Sequence, residues 1–256
     1  VSSSNEPVFN VPRAVTLLLL TLALVHVART YLLTEAEDIE VLGLFSFIPA
    51  RYTASVLGDP YPGGVAAQLW TFVTYAFLHA DFTHIAVNSI WLLAFGTPVA
   101  RRFGAARFSV FFAVTAAAGA LAHLAGNAGD AVPVIGASAS ISGMMAAALR
   151  FAFMRGGALS GFGRDERAYR MPALPLSQTL RNPAVVIFLV VWFGLNLLLG
   201  VSSNPMVAAG QTVAWEAHIG GFLSGLFLFP LFDPIPPPAD RDLDSDSDRN
   251  AETPTP

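Results

Sequence analysis

Two residues could do covalent chemistry in an otherwise apolar sequence: Ser138, within GASASISG, and His218, within WEAHIGGFLSGLF. A serine hydroxyl is a weak nucleophile by itself and becomes an effective one when a histidine takes its proton. Together the two residue types point to acyl transfer, the attack on an ester or amide carbonyl. Ser138 follows Pro133 and Gly136 at the start of an apolar segment. There, unpaired backbone N–H groups and the positive helix end favour a developing anion. Ser140 faces elsewhere and Ser142 lies one turn deeper, so Ser138 is the best placed of the three. In FLHADFTHIAVNSIWLLAFG, His84 and Asn88 are four apart and share a helix face. With the Ser138 N–H they form a donor set for a tetrahedral oxyanion. His79, five residues before His84, reads as a loop residue that holds its segment in place. Each of these features has an ordinary structural use alone, as packing or interhelical glue.

What must position them is a set of membrane helices. The chain is 54% hydrophobic and 12% charged over 256 residues, a balance that fits a polytopic membrane protein and not a soluble domain. Six segments, near 13–33, 82–100, 107–126, 137–154, 183–201 and 214–232, are long and apolar enough for a bilayer core of ~30 Å. Residues 14–33 are too long and uniform for a signal-peptide core. The outer loop at 36–80 is too interrupted to span, residues 1–12 form an N-terminal cytoplasmic segment, and 13–232 are the membrane domain. The stretch 233–256 holds seven of the eighteen acids with many prolines and reads as a disordered tail. All fourteen basic residues are arginine. They crowd the 101–107 and 150–181 connections, while 127–136 and 202–213 have none. The positive-inside rule then places both termini in the cytoplasm. The 202–213 loop, with the outer end of the fifth span, reads as a movable cover over the site.

Depth arithmetic ties the polar residues together. At 1.5 Å per residue, Ser138 is about 18 Å from Arg150, Asn88 about 20 Å from Arg101, and His218 about 21 Å from Phe232. Three polar residues on three helices therefore share one level in the outer half of the membrane, where such groups are costly and usually functional. Gly220, Gly221 and Gly225 can face Ala139, Gly143 and Ala147 as small-residue ridges, bringing two backbones close enough for a Ser–His hydrogen bond. Glu216, two residues before His218, points to the other face and reads as an interface charge. His26 and His123 read as structural. The absence of cysteine excludes disulfides and thiol catalysis, H-E-x-x-H is missing, and nothing forms a metal site or a nucleic-acid footprint. No cofactor is implied. A transporter would show paired broken helices or repeats, which are not detectable.

In this order and combination, HADFTHIAVN, GASASISG and AHIGGFLSG resemble the rhomboid intramembrane serine proteases, from about Trp70 to Phe229. The resemblance implies an all-α, rhomboid-like bundle of six transmembrane helices. Ser138 is then the nucleophile after Gly136, and His218 the base, with Gly221 supporting it. His84, Asn88 and Ser138 form the oxyanion hole, and no acid partner is involved. The activity implied is endopeptidase cleavage in or beside a transmembrane segment of a protein substrate, near the outer face of the bilayer. A prokaryotic plasma membrane is the expected location. The runner-up is a non-catalytic rhomboid-like protein that binds membrane clients. Two departures stand out: Ala139 replaces the second glycine of G-x-S-G, which adds a methyl beside the oxyanion hole, and Ala100 stands where a glutamate is common.

Overall fold

The computed structural model describes residues 11–53, 61–153, 166–201 and 213–236. The architecture is all-helical, and among the described residues the sole extended pairing is a bridge between Phe47 and Val134. Helix α1 (Arg13–Tyr31) starts behind Pro12. Helix α2 (Glu35–Phe45) starts in a capping box: Glu37 N–H donates to the Thr34 hydroxyl at 3.4 Å, and Thr34 N–H to the Glu37 carboxylate at 2.8 Å.

Among its described residues the 36–80 connection is largely helical, with α2, a 3-10 turn at Pro49–Tyr52, α3 (Gly64–Thr74) and a 3-10 turn at Tyr75–Phe77. Long-range hydrogen bonds strap it down. Trp70 Nε1 donates to the Leu44 carbonyl at 2.8 Å, and the Tyr52 hydroxyl lies 2.7 Å from the Thr71 hydroxyl. Buried Arg51 donates to the Pro62 carbonyl at 3.0 Å and to that of Gly43. Arg29, at the end of α1, grips Asp38 through two contacts of 2.7 and 3.0 Å. The charge of Arg29 is thus neutralised locally.

The second apolar segment is a helix with a wide turn inside it: α4 (Phe82–Trp91), a π turn at Leu92–Gly96, and α5 (Thr97–Phe103). Pro98 has no N–H and crowds the preceding turn, and the widened turn accommodates that loss. After α6 (Ala105–Gly126) comes α7 (Ser138–Leu149), then α8 (Leu176–Thr179), α9 (Pro183–Val201) and α10 (Trp215–Phe232). Three of these runs are long and apolar enough to cross a membrane: Arg13–Tyr31, Phe82–Phe103 and Ala105–Gly126. The fourth segment is shorter than its hydropathy suggests. It stops at Leu149, so α7 is only about 18 Å long. Every residue from Ala139 to Leu149 is buried, so α7 is solvated by other helices instead of lipid.

The core is α7 and α10 packed side by side against α6. Gly221 lies on the backbone of Ala139 and Gly225 on that of Gly143, so α7 and α10 run parallel in one register. A Cβ on Gly143 would meet the Gly221 carbonyl at 2.9 Å, and one on Gly220 the Ala118 carbonyl of α6 at 2.8 Å. The small-residue ridges thus meet as their spacing predicts, and α6 shares them. At the far end Arg102 is buried in a paired contact with Asp233, at 2.9 and 2.8 Å, and donates to the Tyr169 and Met171 carbonyls at 3.0 and 2.7 Å. Asp233, first residue of the acidic stretch, is bound into the bundle. Residues 237–256 and the 202–212 part of the expected cover lie outside the described residues.

Candidate active site

Ser138 is the first residue of α7, so its backbone N–H has no intrahelical acceptor. The chain reaches it through the Phe47–Val134 bridge, with N–H···O contacts of 3.1 and 2.8 Å, and then Gly136, whose N–H donates to the Tyr75 carbonyl at 3.0 Å. Tyr75 in turn donates its hydroxyl to the Ala116 carbonyl of α6 at 2.9 Å. Gly136 sits at φ +120°, which side chains rarely tolerate, and a Cβ there would lie 2.7 Å from His84 Nε2. Both constraints demand glycine.

Across the α7–α10 contact, Ser138 Oγ lies 2.7 Å from His218 Nε2. Both residues are half-buried. The other serines are engaged elsewhere: Ser140 donates to the Phe112 carbonyl at 2.8 Å, and Ser142 to that of Ser138 at 2.8 Å.

Asp81 caps α4, accepting from the His84 N–H at 2.8 Å. The His84 ring accepts at Nδ1 from the Ala80 N–H at 3.4 Å. A neutral imidazole that accepts at Nδ1 carries its hydrogen on Nε2, the nitrogen facing the Gly136–Ser138 turn. That hydrogen is available to an anion forming at Ser138. Asn88 is buried, and its amide donates to the His84 carbonyl at 3.0 Å, bracing the same turn of α4. His79 is buried outside α4, edge-on to His84 with ring centroids 5.0 Å apart, and its carbonyl accepts from Arg29 at 3.0 Å. Burial, followed by the nearby His84, lowers its pKa to about 3, so this ring stays neutral.

The structure changes the expectation for Ala139, gives His123 a partner and adds a residue to the site. The Ala139 methyl points at Gly119 of α6, where a Cβ would approach it to 2.6 Å, so it fills an interhelical gap instead of crowding the oxyanion turn. His123 is paired: its Nδ1 lies 3.3 Å from Glu216 and 3.2 Å from the Asn127 amide. Glu216 accordingly faces away from His218, as its position two residues earlier implies. And Asn196 of α9, with no sequence signal beyond a lone amide in an apolar run, places Oδ1 2.5 Å from His218 Nδ1. No group of three or more metal-ligating side chains occurs among the described residues.

The family model described as the Rhomboid domain matches residues 66–233, which include His79, His84, Asn88, Gly136, Ser138, Asn196 and His218. The chain belongs to the rhomboid family. Among its relatives, RHOMBOID-like protein 5 of Arabidopsis thaliana is 27% identical over 201 residues, covering 74% of this chain and 55% of that protein. Rhomboid protease GlpG of Serratia proteamaculans is 26% identical over 172 residues, covering 67% and 51%. The putative rhomboid protease YdcA of Bacillus subtilis is 35% identical over 109 residues, covering 41% and 53%. The chain thus spans about half the length of these curated relatives. A rhomboid domain with three helices long and apolar enough to cross a membrane makes this an integral membrane protein.

Proposed function

We propose that this rhomboid is an intramembrane serine endopeptidase. The observation that carries the proposal is the 2.7 Å contact between Ser138 Oγ and His218 Nε2. In the reaction, His218 Nε2 takes the Ser138 proton as Oγ attacks the scissile carbonyl carbon. The oxyanion receives hydrogen bonds from the Ser138 N–H and His84 Nε2–H, with Asn88 as a further donor. Collapse breaks the C–N bond, and His218 returns its proton to the leaving amine. Water then attacks the Ser138 ester, again losing its proton to His218; the C–Oγ bond breaks, His218 returns that proton to Oγ, and the acid is released. No metal or cofactor takes part.

The substrate is the peptide backbone in or beside a transmembrane segment of another membrane protein, cut near the outer face of the bilayer. This reading includes six spans with both termini inside, and a prokaryotic plasma membrane as its location. The depth shared by Ser138, Asn88 and His218 supports it, as do the arginines gathered at the opposite end.

Labelling with a fluorophosphonate probe tests the assignment. Wild-type protein should be modified at Ser138, and Ser138→Ala and His218→Ala should lose both labelling and cleavage of a transmembrane substrate while folding normally. A chain that only binds membrane clients would leave Ser138 unmodified.

A further inference from the structure

Asn196 stands on a stretch of α9 whose neighbours face outward, with Leu195, Leu197 and Leu198 each at least half exposed, yet it is 7% exposed itself. A buried amide on such a helix is costly unless both its ends are bonded. Here both are. Its Nδ2 donates to the Trp192 carbonyl at 2.8 Å, one turn back on α9, and its Oδ1 faces His218 Nδ1 at 2.5 Å.

The Trp192 carbonyl fixes which end of the amide is nitrogen, because a carbonyl can only accept. The Asn196 oxygen therefore faces the imidazole, and an amide oxygen also only accepts. Nδ1 must supply the hydrogen. In a neutral imidazole that leaves the lone pair on Nε2, the atom 2.7 Å from Ser138 Oγ. The other tautomer would set two lone pairs against each other and present N–H to a hydroxyl that has to lose its own proton.

We infer that Asn196 is a positioning residue for the proposed protease reaction, holding His218 in the tautomer and orientation that accept the Ser138 proton. Ser138, His218 and Asn196 then form a chain drawn from three helices: α7, α10 and α9. The inference rests on the proposed serine chemistry and adds a third member to its dyad. The bond survives the proton transfer, since imidazolium donates from both nitrogens and Asn196 still accepts, now in a charge-assisted contact. A cavity of ≈ 240 Å³ opens beside Asn196, walled by Phe193, Leu197, Trp215 and Ile219, whose side chains offer the imidazole no competing acceptor.

The test uses the full chain in detergent and compares wild type with Asn196→Leu, which keeps volume without an acceptor, and Asn196→Asp, which keeps one. Asn196→Leu should lower kcat by on the order of 10–10²-fold with KM nearly unchanged, less than the ~10⁴-fold typical when a charged triad partner is neutralised. Asn196→Asp should restore most of the rate. The imidazole ¹⁵N resonances of wild-type protein, assigned with His218→Ala, should show His218 protonated at Nδ1, and Asn196→Leu should show mixed tautomers. Wild-type kcat in Asn196→Leu, or an Nε2–H tautomer in the wild type, overturns the inference. If the variants unfold, the wild-type tautomer still decides. A wild type that never labels at Ser138 but holds the Nδ1–H tautomer removes the protease reading and leaves the orientation intact.

Discussion

Gly221 of α10 lies directly on the Ala139 carbonyl of α7, one residue past Ser138, and a Cβ at Gly221 would collide with it. Backbone cannot yield as a flexible side chain can. This contact sets how closely the two helices approach, and with it the Ser138–His218 distance one turn away. Gly221→Val should therefore force α7 and α10 apart, at a cost of roughly 1–3 kcal/mol as for other overpacked cores. The expected outcome is a lowered melting temperature with Ser138 labelling lost. Normal labelling in a stably folded Gly221→Val protein would show that helix spacing does not control the pair.

Gly136 and His84 are coupled in the same sense. Gly136→Ala meets two penalties: the φ of +120° and the clash with His84 Nε2. The backbone term is on the order of 1–3 kcal/mol. Combining Gly136→Ala with His84→Ala should relieve the steric term, so the double variant is destabilised by less than the sum of the singles. Strict additivity in thermal melts would place the His84 ring further from Gly136 than we describe.

The donors to the oxyanion should differ in weight. His84→Ala removes the Nε2–H that faces Ser138 and should lower kcat by about 10²–10³-fold, the usual effect of losing one such donor. Asn88→Ala should cost less, because its amide already serves the His84 carbonyl. Fluorophosphonate labelling should slow in the His84 variant as well, since that reaction builds the same kind of oxyanion. Equal losses for the two variants would reverse this ranking.

His79 should act on stability and not on turnover. Its folded pKa of about 3 lies below the ~6.5 of an unfolded histidine. Between these values the unfolded chain binds the extra proton, so stability from this residue is full above pH ~6.5 and is lost progressively as pH falls toward 3. His79→Gln should flatten the dependence of melting temperature on pH over that range, relative to wild type. An identical slope in both proteins would remove His79 from the acid response.

Arg102 and Asp233 clamp the end of the bundle away from the site, with side chains 0% and 6% exposed. Removing either partner strands a buried charge, which typically costs about 3–5 kcal/mol. Asp233→Ala should lower the melting temperature strongly, whereas deletion of residues 237–256 should leave both melting and turnover unchanged. A deletion as damaging as Asp233→Ala would assign the tail a part in the fold.

The sequence by itself determined what depends on local pattern. Hydropathy marks the apolar segments, and the ends expected for the fifth of them, Pro183 and Val201, coincide with α9 because proline and helix length are local properties. Motif spacing and depth arithmetic named Ser138 and His218, and glycine spacing named the ridge that brings them together. Tertiary structure decided the lateral partners. Nothing near Asn196 signals that it meets His218, because that contact depends on the rotation of α9 about its own axis, which hydropathy leaves open on a helix apolar all round. The pairing of His123 with Glu216, 93 residues apart, is equally non-local. So is the turn of the Ala139 methyl toward Gly119, which exists only once α6 lies across α7. The short length of α7 has the same origin. A segment buried by its neighbours need not match the bilayer, and only the packed bundle shows which segment that is.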